Sequence, residues 1–126
     1  MSEQEILESN RLIADFMQVD YSGKEQFMWR PGAYIPFTEK CLRYHLSWDW
    51  LMQVVEKIEH LHEITNGYGF SFQIDSWSIN IKNLFTGEFV VHNNPKTCRL
   101  HSKFESVYKS AVEFIKWHNK QNNNNE

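Results

Sequence analysis

Long apolar runs are missing from this chain. Nothing approaches the roughly 18 consecutive apolar residues that a membrane-spanning helix needs, so no membrane partner is expected. Blocks of lysine and arginine are missing as well, and the formal net charge is −3. Binding to duplex nucleic acid rests mainly on cationic neutralisation of phosphates, so this balance argues against general DNA or RNA binding and leaves room only for a local basic pocket. Cysteine is scarce: Cys41 and Cys98 are the two thiols. The opening residues MSEQEILESN are polar and acidic and carry no secretory signal core. The expectation is a cytoplasmic protein with both thiols reduced. Catalytic fingerprints are thin too. Gly67-x-Gly69 lacks a third glycine and follows a helix instead of a strand, so it is no dinucleotide-binding turn. Neither cysteine sits in a nucleophile-elbow, caspase-like or papain-like context.

What is present is ordinary in bulk and rich in rings. The 126 residues are 41% hydrophobic and 23% charged, which suits one domain over residues 1–120 that buries very roughly two thirds of its unfolded surface. Nine Phe, five Tyr and five Trp exceed what one small core usually holds, so some rings are expected at the surface. There they can stack on a base or anchor a partner protein.

Periodicity places the elements. The fifteen residues Ser47 to Leu61, SWDWLMQVVEKIEHL, predict the helix around which the chain is organised. Ser47 can cap it, Asp49 complements the positive end of its dipole, and Leu51, Val54, Val55, Ile58 and Leu61 share one face. An earlier helix is predicted over 3–17, with Ser2 and Glu5 at capping-box spacing. A later one runs from Ser102 to about Asn119, with Phe104, Val107, Tyr108, Ala111, Phe114 and Ile115 on its apolar side. Two alternating stretches, Tyr68 to Ile74 and Trp77 to Lys82, read as a hairpin, and Glu88 to Val91 as a third strand. Between Gln18 and Leu46 the pattern is broken. Ser22-Gly23 reads as a turn, Phe27 to Trp29 as an edge strand, and Pro31, Gly32 and Pro36 exclude a long helix or central strand. His92 to Arg99 reads as a polar loop, and residues 121–126 as a disordered polar tail. The fold class is α+β, an antiparallel sheet of three to five strands packed with about three helices.

Candidate chemistry is sparse. Cys98-x-x-His101, with His92 and possible help from Cys41 or His45, lacks the second ligand pair that a zinc site needs. His60 and His62 point apart on a helix. Glu56, Glu59 and Glu63 lie on a solvated helix face and not across a cleft. Neither a metal nor another cofactor is expected, nor catalysis. A binding set remains: Trp29, Arg30, Tyr34, Arg43, His45, Lys96 and Arg99. Arg forks clamp phosphates and aromatic rings stack on purines, so these residues suit a nucleotide-like ligand. Each is also an ordinary surface or core residue in many proteins.

Three segments carry a resemblance: RLIADFM, YHLSWDWLMQVVEKIE and SKFESVYKSAVEFIKWHN. Over about half the chain they resemble a group of small uncharacterised phage and prophage proteins of Bacteroidetes-type bacteria, similar in turn to the phage ABA sandwich family. The chain departs from that pattern at Gln53, where proline is expected, and in Ser22 to Lys40, which has no counterpart. The resemblance implies a layered helix-and-sheet fold and a phage-like origin, and it assigns no catalytic residues. Taken together with the absence of catalytic motifs and the surplus of aromatic rings, it leads to the expectation of a non-catalytic accessory protein, a possible homo-oligomer in the bacterial cytoplasm, that counters host antiviral defence, for instance by sequestering a nucleotide-derived immune signal. Two alternatives stand beside it. One is a protein–protein inhibitor of a CRISPR effector or defence nuclease, presenting Trp29, Tyr34 and Phe37. The other is a mobile-element domain without a defence role.

Overall fold

The computed structural model describes residues 1–61, 67–75, 78–93 and 102–124. Within them lie three α-helices, five strands and one short 3-10 helix, an α+β fold. The chain divides into two compact units, Met1–Ser47 and Trp48–Glu126, at the residue expected to cap the central helix.

The first unit opens with helix α1 (Glu3–Met17). Its start follows from Ser2, whose Oγ accepts from the Glu5 amide at 3.2 Å, while Glu3 and Glu5 complement the dipole. It stops where Gln18 turns left-handed at φ 59°, letting the amides of Gln18 and Val19 return to carbonyls of the last turn. Strands β1 (Ser22–Arg30) and β2 (Ala33–Thr38) then form an antiparallel hairpin, with Phe27 opposite Ile35 and Met28 opposite Tyr34. Pro31 and Gly32 make its tip, and Gly32 has φ +79°, a conformation that costs glycine nothing. Pro36 sits inside β2, tolerated because each strand of a two-stranded ribbon is an edge. A 3-10 turn (Glu39–Cys41) leads to Leu42 and Tyr44, both buried.

The second unit is a two-layer arrangement. Helix α2 (Trp48–Glu59) buries Leu51, Val54, Val55 and Ile58, at about 1.5–3 kcal/mol for each side chain. Asp49 at its dipole end contributes only ~0.3–1 kcal/mol, so packing and not capping holds it. Strands β3 (Phe70–Ile74), β4 (Ile79–Asn83) and β5 (Phe89–Asn93) form an antiparallel sheet in that order. Phe72, Ile81 and Val91 line up across it in one buried row. Helix α3 (Lys103–Asn124) covers this face. The Phe114 ring meets Phe70 edge-on with centroids 4.9 Å apart, and Asn93 donates to the Ser110 hydroxyl at 2.6 Å.

Several expectations are corrected. The expected α+β class with an antiparallel sheet of three to five strands is met by β3–β4–β5, while β1 and β2 form a separate two-stranded sheet. Ser22-Gly23 does not turn the chain but begins β1, where Gly23 at φ +95° accommodates an irregularity in the ladder. His92 and Asn93 belong to β5, drawn into pairing by Asn80 and Ile79. Helix α2 ends at Glu59, where the His60 ring bonds the Glu56 carbonyl at 2.7 Å. The last helix continues to Asn124, into the stretch read as a disordered tail, because extending a formed helix is far cheaper than nucleating one. The Ser76–Trp77 part of the predicted hairpin and most of the 92–99 loop lie outside the described residues.

The packing of the second unit sets an expected result. Phe114→Ala removes a fully buried ring and costs about 3–5 kcal/mol of stability in urea unfolding. Phe85→Ala, at an exposed turn ring, costs under about 1 kcal/mol. Equal costs would contradict the packing described.

Candidate functional site

The first unit holds the described part of the candidate set. On α1, positions 3, 6, 7 and 10 fall on one face by helical spacing, presenting Glu3, Ile6, Leu7 and Asn10, with Gln4 beside them. Opposite lies the segment Glu39 to His45. Together they enclose an open cleft of about 450 Å³, completed by Glu39, Lys40, Leu42 and His45.

Two neighbouring residues of α1 hold that segment in place. Arg11 forms an ion pair with Glu39. The hydrogen bond and the charge of Arg11 pull the Glu39 carboxyl below its ordinary range, and the same bond raises Arg11. Both side chains are substantially solvated, so the pair counts for positioning more than for stability. Asn10 is the more telling partner. Only 2% exposed, it lies within 2.9 Å of His45, side-chain nitrogen to Nδ1. Burial pushes the His45 pKa below the ordinary 6.5, and Arg43 pushes it the same way. The ring is therefore neutral near pH 7. In that state Nδ1 accepts from the Asn10 amide and the ring proton sits on Nε2.

Among the described residues of the sequence-derived set, those at the hairpin and those after it lie apart. Arg30 lies at the hairpin tip opposite Ala33. Tyr34 is close by, opposite Met28, and exposed. Arg43 is exposed and His45 half-buried, both beyond the root of the ribbon, where Ser22 pairs with Thr38. At about 3.3 Å per residue the ribbon separates its tip from its root by roughly 20 Å. One concavity holding Arg30 with His45 is therefore not formed. Trp29 lies on β1, while Lys96 and Arg99 lie outside the described residues. Among the described members of the set, His45 is the one that lines the cleft. Sequence reasoning missed Asn10, Glu3, Lys40 and Leu42. A signal existed for Asn10, a polar residue set between Ile6 and Ile13 in the apolar stripe of α1.

Among the described residues the cleft lining carries no hydroxyl or thiol for His45 to activate. Among the described residues no three His, Cys, Asp or Glu side chains gather to hold a metal, and Cys98 and His101 lie outside them. No described helix is long and apolar enough to cross a membrane. No family model, curated protein or solved structure matches the chain.

The depressed His45 pKa makes stability depend on pH. Just below 6.5 the unfolded chain takes up a proton that the folded ring resists, so stability falls as pH drops through that window. Below the folded-state value the loss levels off. Urea midpoints compared between about pH 7.5 and about pH 5.5 should fall more for the native chain than for His45→Gln. Equal falls would show that His45 is not the group responsible.

Proposed function

We propose that the protein is a non-catalytic binding protein of the phage accessory type, which engages a protein of the host's antiviral machinery through the β1–β2 hairpin. The observation that carries this reading is the apolar exposure of the ribbon. Phe27 is 38% exposed, Met28 57% and Tyr34 64%, with Arg30 at the adjoining tip. Tyr and Arg are enriched among residues that dominate interface energetics, and exposed apolar side chains gain most from being covered. Among the described residues each strand of this sheet pairs only with the other, so the outer edges keep backbone groups that a partner strand can use.

The sequestration of a nucleotide-derived signal has weaker support. A multiply charged phosphate needs converging cations. Arg30 stands a ribbon's length from His45, and the cleft brings Glu3 and Glu39 to any anion that enters it. The surplus of aromatic rings supports both readings.

Capture from lysate of a defended bacterial host tests the proposal. The native chain should retain a defence protein, and the double variant Met28→Ser/Tyr34→Ala should retain at least about tenfold less, equivalent to ~1.4 kcal/mol, while its thermal midpoint stays within a few degrees. Retention unaffected by the substitutions would sink the hairpin reading. Retention of no protein, together with calorimetric binding of a cyclic oligonucleotide, would favour sequestration.

A further inference from the structure

The cleft between α1 and the Glu39–His45 segment has a role to fill that the hairpin does not explain. Its volume of about 450 Å³ is within the ~300–1,000 Å³ of sites that hold small molecules. Ile6, Leu7 and Leu42 give it an apolar lining. The charges around that lining are nearly balanced. Glu39 is engaged by Arg11, and His45 is held neutral by its burial. Glu3 and Lys40 remain, one charge of each sign, and neither forms an ion pair among the described residues.

Complementarity follows from that arrangement. A purely anionic ligand meets Lys40 but also Glu3. A purely cationic ligand meets the reverse conflict. A neutral apolar molecule covers the aliphatic side chains but gains nothing from Glu3 or Lys40, which stay exposed to water. We propose that the cleft binds a small aliphatic zwitterion, a molecule with one ammonium, one carboxylate and an alkyl body, of the amino-acid class. Its ammonium faces Glu3, its carboxylate faces Lys40, and the alkyl body lies against Ile6, Leu7 and Leu42. Asn10 serves as the fixed polar point, since its amide is almost fully buried and oriented by the His45 ring. A net-neutral ligand also leaves the charge balance of the cleft unchanged, which a free phosphate cannot do.

The test is an NMR titration of the isotope-labelled full chain with leucine, ε-aminocaproate, hexanoate and hexylamine. Leucine carries both charges on one carbon and ε-aminocaproate carries them at opposite ends, so their order reports the charge spacing in the cleft. At least one of the two should shift the amides of Ile6, Leu7, Asn10, Leu42 and His45 saturably, about tenfold more tightly than either singly charged analogue. Lys40→Ala and Glu3→Gln, both at exposed positions, should each weaken that binding about tenfold. Three results overturn the proposal: no shift of those amides by either zwitterion, equal binding of hexanoate or hexylamine, or binding indifferent to both substitutions. These shifts do not depend on any partner protein, so failure of the lysate capture and failure of this titration are separate outcomes.

Discussion

A two-stranded ribbon cannot bury enough apolar surface to hold itself together in water. The β1–β2 hairpin is such a ribbon, and most of its first strand is exposed. Its conformation must therefore be imposed at the root, where Thr38 runs into the Glu39–Cys41 turn. There Arg11 engages Glu39, Asn10 bonds His45, and Leu42 and Tyr44 are buried. Adjacent residues of one helix turn thus grip a segment about thirty residues further along the chain. The same grip forms one wall of the cleft, so binding surface and anchoring share their side chains. A buried amide that lost its imidazole partner would carry the desolvation cost of an unmet polar group, about 1–3 kcal/mol. That asymmetry makes the Asn10–His45 contact a stronger determinant of position than the solvated Arg11–Glu39 pair.

The second unit follows a different logic. Its position is set by non-directional burial: four side chains of α2, the inward row of the sheet and the long apolar side of α3. Polar groups at its margins are matched locally. The Asn83 side chain accepts from the Phe85 and Thr86 amides in the β4–β5 turn, and His92 bonds Asn80 on the sheet face away from α3. An irregularity between Ile81 and Lys82 places Phe89 opposite Lys82, and its exposed ring stands 5.4 Å from His92. Many contacts of similar size fix this unit, so no single polar contact carries it.

Legibility from sequence follows the same contrast. Elements built on local periodicity were readable: α1 with its Ser2 cap, the face of α2, the alternation of β3 and β4, and the stripe of α3. Each is specified within about fifteen residues. The hairpin was not, because Ser22-Gly23, Pro31, Gly32 and Pro36 are breaker signals in isolation. They become compatible with strands only when both strands are edges and the glycines fall at an irregularity and a tip. The division at Ser47 was hidden for a related reason, since it coincides with a helix start that reads as continuous chain. For the site, His45 stood out among rings and cations, whereas the burial of Asn10 depends on a residue 35 positions away. No helical pattern encodes that distance. Arg30 and Tyr34 were singled out for their chemistry, and the ribbon puts that chemistry at an exposed tip instead of in a pocket.

Amide hydrogen exchange on Asn10→Ala compared with the native chain tests the anchoring most directly. If the Asn10–His45 contact holds the root of the ribbon, cross-strand amides of β1 and β2 exchange faster in the variant. Those of β3, β4 and β5 keep their native protection. Unchanged exchange in the ribbon, or equal loosening of the three-stranded sheet, would contradict the account.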